Sequence, residues 1–159
     1  MVELEVLGVS QADEHQYPLV LLRHESQVLP ILVGIPEASA IQVGLMGEKT
    51  PRPLTHDLIC NLLAGLRGDL KSVTIYRLEN DTFFAHLNVE QKNAAGQVEQ
   101  VLRIDSRPSD GIAIAVRAGC PIFASEEVMA QAAQDASILG SREDAYDDDD
   151  DDDPETDSD

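Results

Sequence analysis

The fold class of this chain follows from two segments, Val73-Thr74-Ile75-Tyr76 and Thr82-Phe83-Phe84-Ala85-His86-Leu87. Both are short and rich in β-branched and aromatic residues, which favour strands. The polar residues Glu79-Asn80-Asp81 lie between them and are typical of a tight turn. The two segments therefore predict an antiparallel hairpin.

Further strands are predicted on both sides of this hairpin. Residues 2–7 alternate apolar and polar side chains, which is typical of a half-buried strand. Residues 17–22 and 27–33 form two more apolar runs, and residues 98–104 form another after the turn at 93–96. Runs of strands joined by short turns predict a mostly antiparallel sheet.

Four helices are predicted from their end signals. Proline favours a first helical turn, a small hydroxyl residue favours an N-cap, and glycine favours the position after the last turn. The start signals are Pro36, Thr55, Pro108 and Ser125, and the stop signals are Gly47, Gly68 and Gly119. The resulting order, βββ-αα-βββ-α-β-α, predicts an α+β fold with helices packed on one face of the sheet.

The composition predicts an aliphatic core and a cytoplasmic protein. The chain has no Trp and only three Phe and three Tyr, so Leu, Ile, Val and Ala must fill the interior. No run of about 18 apolar residues is present, and the N-terminus lacks the pattern of a secretory signal, so no membrane association is expected. Cys60 and Cys120 lie in apolar runs and are expected to be buried, reduced thiols.

The acidic charge is concentrated at the C-terminus. Residues 143–159 hold 12 of the 30 acidic residues and no basic one, including seven consecutive aspartates at 147–153. Such a run repels itself and buries nothing, so we expect a folded domain over 1–140 and a disordered poly-Asp tail over 141–159. The body keeps a net charge of −7, whereas a nucleic-acid binder usually carries a basic surplus.

Three clusters of polar residues lie at predicted helix starts. In the first, Glu37 either stabilises a helix dipole or belongs to a site. In the second, Pro51-Arg52-Pro53-Leu54-Thr55-His56-Asp57, a stiff arginine lies beside a helix N-terminus, which is the composition of an anion site. His56 is a candidate proton carrier because histidine titrates near neutral pH. A capping motif with an Arg–Asp pair is the alternative.

The third cluster is Ile104-Asp105-Ser106-Arg107-Pro108-Ser109-Asp110. Asp105 and Asp110 could hold a hard divalent metal through oxygen, and Arg107 could hold a phosphate. A salt-bridged helix cap is the alternative. The sequence shows no Gly-rich phosphate loop, nucleophile elbow or metalloprotease motif, so no organic cofactor is expected.

These clusters, in this order, resemble the bifunctional nuclease family. The resemblance runs from about Val2 to Ala133, and its most specific part is residues 104–113, followed by Arg117 and Pro121-Ile122. It implies a compact α+β domain that forms a homodimer and cleaves both DNA and RNA. The acidic tail lies outside the part of the chain that carries the resemblance.

The resemblance and the residues together lead to one hypothesis for the site. A divalent metal, Mg²⁺ or Mn²⁺, is assigned to Asp105 and Asp110 with Glu37 as a third carboxylate. Arg52, Arg107 and Ser109 would bind the phosphate. His56 would act as general base or acid beside Asp57. The alternatives are a non-catalytic dimeric interaction or regulatory domain, and a binder or hydrolase of small phosphorylated molecules.

Overall fold

A computed structural model describes residues 1–11, 15–137 and 139. The elements, in chain order, are β1 (Val2–Val9), β2 (Leu19–His24), β3 (Gln27–Leu32), α1 (Ile35–Met46), α2 (Thr55–Gly65), β4 (Gly68–Glu79), β5 (Thr82–Lys92), β6 (Val98–Ser106), α3 (Pro108–Ala118), β7 (Ile122–Ala124), α4 (Glu126–Ala132) and β8 (Gln134–Asp135). The predicted tail over 141–159 lies outside the described residues.

The strands form one sheet of eight, in the order β6-β5-β4-β7-β1-β2-β3-β8. Every neighbouring pair is antiparallel except β4 and β7, which run parallel because α3 carries the chain back over the sheet. The predicted α+β class and element order are confirmed. The structure adds β8, whose two residues are too short for a pattern to indicate.

The core is aliphatic, as the composition predicts. The largest fully buried side chains are Leu22, Leu29, Ile41, Ile75, Ile112, Ile114, Val20, Val73, Val89 and Val128. Helix α3 lies over the middle of the sheet, and a Cβ built at Gly111 would lie 2.8 Å from Val73 Cγ1. Within the described residues, no helix is both long enough and apolar enough to cross a membrane.

Two predicted helix boundaries of α2 are wrong. Thr55 is the first helical residue and not the N-cap, because the cap position is Leu54, whose N–H donates to Asp57 Oδ2 at 2.9 Å. The helix ends at Gly65, and Gly68 instead begins β4. A Cβ at Gly68 would lie 3.2 Å from both the Leu63 carbonyl oxygen and Val89 Cγ1, which is a tight contact, so glycine fits this close approach of α2 and β5.

Helix α2 is less buried than its apolar spacing predicts. Ile59 and Leu63 pack against the core, but Leu58, Leu62 and Leu66 are 49%, 54% and 64% exposed. Only part of the leucine stripe therefore contributes to the interior of this chain.

Helices α1 and α3 cross at Gly44. A Cβ built there would lie 2.6 Å from Val116 Cγ2 and 2.7 Å from Arg117 Nη1. Such distances leave no room for a methyl group, so the two helix backbones can approach only because residue 44 has no side chain.

We expect Gly44→Ala to lower the free energy of unfolding by about 1–3 kcal/mol, the usual cost of overpacking. Gly65→Ala in α2 is the matched control, because a Cβ there meets no atom within 4 Å. It should leave stability unchanged or raise it by up to about 1 kcal/mol through helix propensity. Urea unfolding of both variants measures the difference, and equal stabilities would contradict the close-packing argument.

Candidate active site

Three helix N-termini meet at one cavity. The first turns of α1, α2 and α3 line it, and its volume is about 350 Å³. Helix N-termini present free N–H groups and positive dipole ends, so their convergence favours an anion. A larger groove of about 870 Å³ lies between β1 and the last turns of α1 and α3, but it contains none of the predicted site residues. We therefore take the smaller cavity as the candidate site.

A chain of hydrogen bonds joins four charged or titratable side chains in this cavity. Arg107 Nε donates to Asp110 Oδ2 at 3.1 Å, and Arg107 Nη2 donates to Glu37 Oε1 at 3.3 Å. His56 Nε2 lies 2.9 Å from Asp110 Oδ1. All three predicted clusters thus contribute to one site: the first through Glu37, the second through His56, and the third through Arg107 and Asp110.

Arg107 is the most exposed of these side chains, and His56 is the most buried. The His56 side chain is 12% exposed and Glu37 is 23% exposed, whereas Arg107 is 65% exposed. The guanidinium therefore lies at the cavity entrance, where a ligand anion can reach it. The imidazole lies deeper, where its orientation is held by Asp110.

Electrostatics keep Asp110 ionised. Partial burial raises the pKa of Asp110, but the hydrogen bonds from His56 and Arg107 and the charge of Arg107 outweigh burial, so the pKa lies below the usual aspartate value. The same contact with Asp110, with a smaller effect from Glu37, raises the pKa of Arg107. The carboxylate of Asp110 is thus available as a hydrogen-bond acceptor for His56 at neutral pH.

Asp57 contacts the backbone and Arg117 and not the other predicted site residues. Its Oδ2 accepts the Leu54 N–H, and its Oδ1 accepts Arg117 Nε at 2.8 Å. Arg117 Nη1 also donates to the carbonyl oxygens of Ala40 and Ala113. Asp57 does not line the cavity, and its contacts indicate that it holds the helices together.

Three other predicted site residues are not brought to the cavity. Arg52 is exposed, Ser109 is buried, and neither lines the cavity wall. Asp105 is in register with His86, and Ser106 is in register with the buried Ala85. Because neighbouring residues on a strand point to opposite faces, Asp105 lies on the sheet face away from α3.

The predicted metal ligands are therefore not assembled. Asp110 and Glu37 lie in the cavity but both are paired with Arg107, while Asp105 is on the other face. Among the residues that the structure describes, no three His, Cys, Asp or Glu side chains form a group that could hold a metal ion. The residues present do not fit the predicted metal set, and a bound metal stays a prediction of the sequence.

Two hydroxyl groups that line the cavity, and one arginine that supports it without lining it, were not predicted. Ser39 and Thr55 line the cavity beside Glu37 and His56. Their positions, within two residues of a predicted site residue at a helix start, were the available signal. Arg117 is nine positions from the start of α3, so no local pattern connects it with Asp57.

Comparison with known proteins gives matches to a family model and to individual proteins. The family model of the bifunctional nuclease domain matches residues 19–137. Two uncharacterized proteins of Mycobacterium tuberculosis, from strains CDC 1551 / Oshkosh and ATCC 25618 / H37Rv, are 40% identical over 134 residues, or 83% of this chain and 76% of each relative. Bifunctional nuclease 1 of Oryza sativa subsp. indica is 23% identical over 117 residues, or 74% of this chain and 34% of that protein.

The pairing of Asp57 predicts a dependence of stability on pH. The Leu54 N–H and then Arg117 lower the pKa of Asp57 below 3.8 in the folded chain. The pair therefore stabilises the fold fully above about pH 4 and loses this effect as the pH falls through the folded-state pKa. The difference in free energy of unfolding between the unmodified chain and Asp57→Asn should be largest at pH 7 and shrink below pH 4.

Denaturant titrations at pH 7 and pH 3 measure this difference. Asp81→Asn, in the exposed turn between β4 and β5, is the control for removing one exposed carboxylate charge. A difference for Asp57→Asn that is the same at both pH values would show that the carboxylate charge is not what stabilises this contact.

Proposed function

Because the chain belongs to the bifunctional nuclease family, we propose that it is a nuclease that hydrolyses phosphodiester bonds of DNA and RNA. The observation that carries the proposal is the convergence of three helix N-termini with Arg107 and His56 on one cavity. This arrangement supplies the two things that phosphodiester hydrolysis needs from a protein. They are stabilisation of negative charge on the phosphoryl oxygens and a group that takes a proton from water.

Arg107 is the proposed phosphate ligand. Its guanidinium is exposed at the cavity entrance and already pairs with the two carboxylates Glu37 and Asp110. A phosphodiester would accept hydrogen bonds from the exposed part of this guanidinium. The negative charge on the phosphoryl oxygens would increase in the transition state as water adds to phosphorus. The free N–H groups in the first turns of the three helices add to the positive potential that favours the phosphate.

His56 is the proposed general base. When its Nε2 proton is donated to Asp110, the Nδ1 atom carries a lone pair that can take a proton from the attacking water. A bond then forms between the water oxygen and phosphorus while the bond to the leaving oxygen breaks. The leaving oxygen takes its proton from the charged His56 or from the solvent. Asp110 holds the orientation of the imidazole through this hydrogen bond.

A second function is supported by two observations. The four polar side chains of the cavity satisfy one another, and the body of the chain is acidic. Both features suit a non-catalytic interaction domain, or a binder of small phosphorylated molecules that needs no extended basic groove. Activity measurements on defined substrates separate these alternatives from the nuclease.

The proposal includes a homodimer in the cytoplasm. Strand β6 is at the edge of the sheet, where Val98 and Val101 are 50% and 72% exposed. Exposed apolar edge strands pair readily with a second chain. The exposed leucines of α2 add further apolar surface. Cys60 and Cys120 form no disulfide, which suits a reducing compartment.

We expect His56→Ala and Arg107→Ala to lower kcat/KM on single-stranded DNA and RNA at least tenfold, roughly the lower bound for loss of acid–base or charge stabilisation. Arg52→Ala is the matched control for Arg107→Ala, because both remove an exposed arginine but only Arg107 lines the cavity. It should stay within about twofold of the unmodified chain, since it lacks that contact. The assay is run with chelator and with added Mg²⁺ or Mn²⁺.

Activity that survives in both cavity variants would place the reaction elsewhere or show a contaminant. Equal losses in Arg52→Ala and Arg107→Ala would show that the described cavity is not where the phosphate is bound. Cleavage that requires a divalent ion would support the metal prediction and require ligands beyond those assembled here.

The dimer is tested by molar mass in solution. Light scattering should give twice the chain mass of 17.3 kDa for the unmodified protein. Val101→Lys should shift the population to single chains, because it places a charge at the exposed edge. Gln131→Lys on α4 adds the same charge away from β6 and should keep the dimer. A single-chain mass for the unmodified protein at all concentrations would contradict the proposal.

A further inference from the structure

A β-bulge in β4 places two adjacent side chains on one face of the sheet. The pairing of β4 with β5 shifts register between Ile75, opposite Ala85, and Arg77, opposite Phe84. The extra residue is Tyr76. Bulges interrupt the alternation of side chains, and they often re-aim a side chain next to a functional site.

The result is a cluster of four side chains, Tyr76, Arg77, Phe84 and His86, which we call the stacking cluster. The Tyr76 ring lies 4.9 Å from the His86 ring and 6.4 Å from the Phe84 ring, centroid to centroid. The Arg77 guanidinium carbon lies 4.3 Å from the Phe84 centroid. The three rings are half-buried and Arg77 is exposed, so the cluster presents ring and guanidinium surface to solvent.

This cluster is on the face of the sheet away from α3. Ala85 and Leu87 are buried, and a Cβ at Gly111 in α3 would lie 3.8 Å from Leu87 Cδ2. His86 alternates with these residues and so points the other way. Arg103 and Asp105 are the nearest residues on β6, since Asp105 is opposite His86 and Arg103 is opposite Asn88.

The chemistry of the stacking cluster fits nucleobases. Flat rings and guanidinium planes stack on any base, because every base has a π-face. Arg77 and Arg103 supply positive charge beside the rings for the phosphate backbone. Glu79, which pairs with Arg77, and Asp105 offset part of this charge. Burial and then the Arg103 charge lower the pKa of His86, so the ring is neutral at neutral pH and stacks without the cost of desolvating a charge.

Strand β6 connects the stacking cluster with the candidate active site. Asp105, opposite His86, is two residues before Arg107, which is about 7 Å of extended strand. A single nucleic acid strand that passes around the end of β6 could therefore contact both. A duplex could not place its bases on these rings without unpairing, because its bases are stacked inside the helix.

From this geometry we propose that the stacking cluster binds the bases of single-stranded nucleic acid next to the phosphate held at Arg107. The inference rests on the proposed nuclease function for its substrate class, and it adds a binding surface and a preference for single strands over duplexes.

The test is binding of a fluorescein-labelled single-stranded 12-mer of deoxythymidine, followed by fluorescence polarisation. The full chain carrying His56→Ala is the parent, so that the probe is not cleaved. Tyr76→Leu keeps apolar volume but removes the ring, and it should weaken binding at least about fivefold, the lower end for loss of one stacked base. Arg77→Ala, at an exposed position, should weaken binding in the same direction. Tyr17→Leu, 67% exposed and outside the cluster, should bind as the parent does.

A second probe, a 12-mer with the same phosphates but abasic sugars, separates stacking from charge. It should bind the parent more weakly than the deoxythymidine 12-mer, and Tyr76→Leu should not weaken it further. Equal binding of both probes by the parent would overturn the proposal. So would unchanged deoxythymidine binding by Tyr76→Leu and Arg77→Ala variants that melt at the parent's temperature. If Tyr76→Leu does not fold, Arg77→Ala and the abasic probe decide.

Hydrolysis of a small diester, bis(4-nitrophenyl) phosphate, by chains with His56 intact distinguishes this inference from the nuclease proposal. The small diester carries no nucleobase, so Tyr76→Leu should raise KM for the 12-mer by a larger factor than KM for the small diester. Base-dependent binding without any hydrolysis would support the stacking cluster and contradict the nuclease. Hydrolysis of both substrates with no effect of Tyr76→Leu on KM would overturn the stacking cluster alone.

Discussion

The contacts of Arg117 hold together the three helices on which the candidate site depends. Its guanidinium donates to Asp57 at the start of α2, to the Ala40 carbonyl in α1, and to Ala113 in its own helix. The Arg117 side chain is only 9% exposed, so these hydrogen bonds are made where water competes poorly. Gly44 makes them reachable, because a side chain at that position would occupy the space beside Arg117 Nη1.

The hydrogen bonds of Arg117 fix the relative positions of the helices that line the cavity. The N-termini of α1, α2 and α3 carry Glu37, His56 and Asp110, and these side chains meet only if the three helices keep fixed relative positions. Positioned groups of this kind need support from residues that do not touch the ligand. Asp57 and Arg117 give that support in the structure, although neither of them lines the cavity.

The sheet has two faces with different uses. One face carries the aliphatic core and α3, with Val73 and Leu87 buried beneath the helix. The other carries polar and aromatic side chains, among them an Asn88 amide that donates to Ser72 and Thr74. The β-bulge at Tyr76 matters because it adds a ring to this second face without disturbing the alternation that buries Val73 and Ile75.

The sequence alone determined the α+β class, the order of the longer elements and the aliphatic core, because side-chain periodicity and turn residues act locally. It also indicated Glu37, His56, Arg107 and Asp110 as site candidates, since helix starts are readable from Pro and polar residues. Tertiary structure decided which candidates meet. Asp105 and Asp110 are five residues apart in sequence, yet strand alternation puts Asp105 on the other face of the sheet. Asp57 adjoins His56 but pairs with Arg117, 60 residues away, and a contact at that separation leaves no local pattern to read.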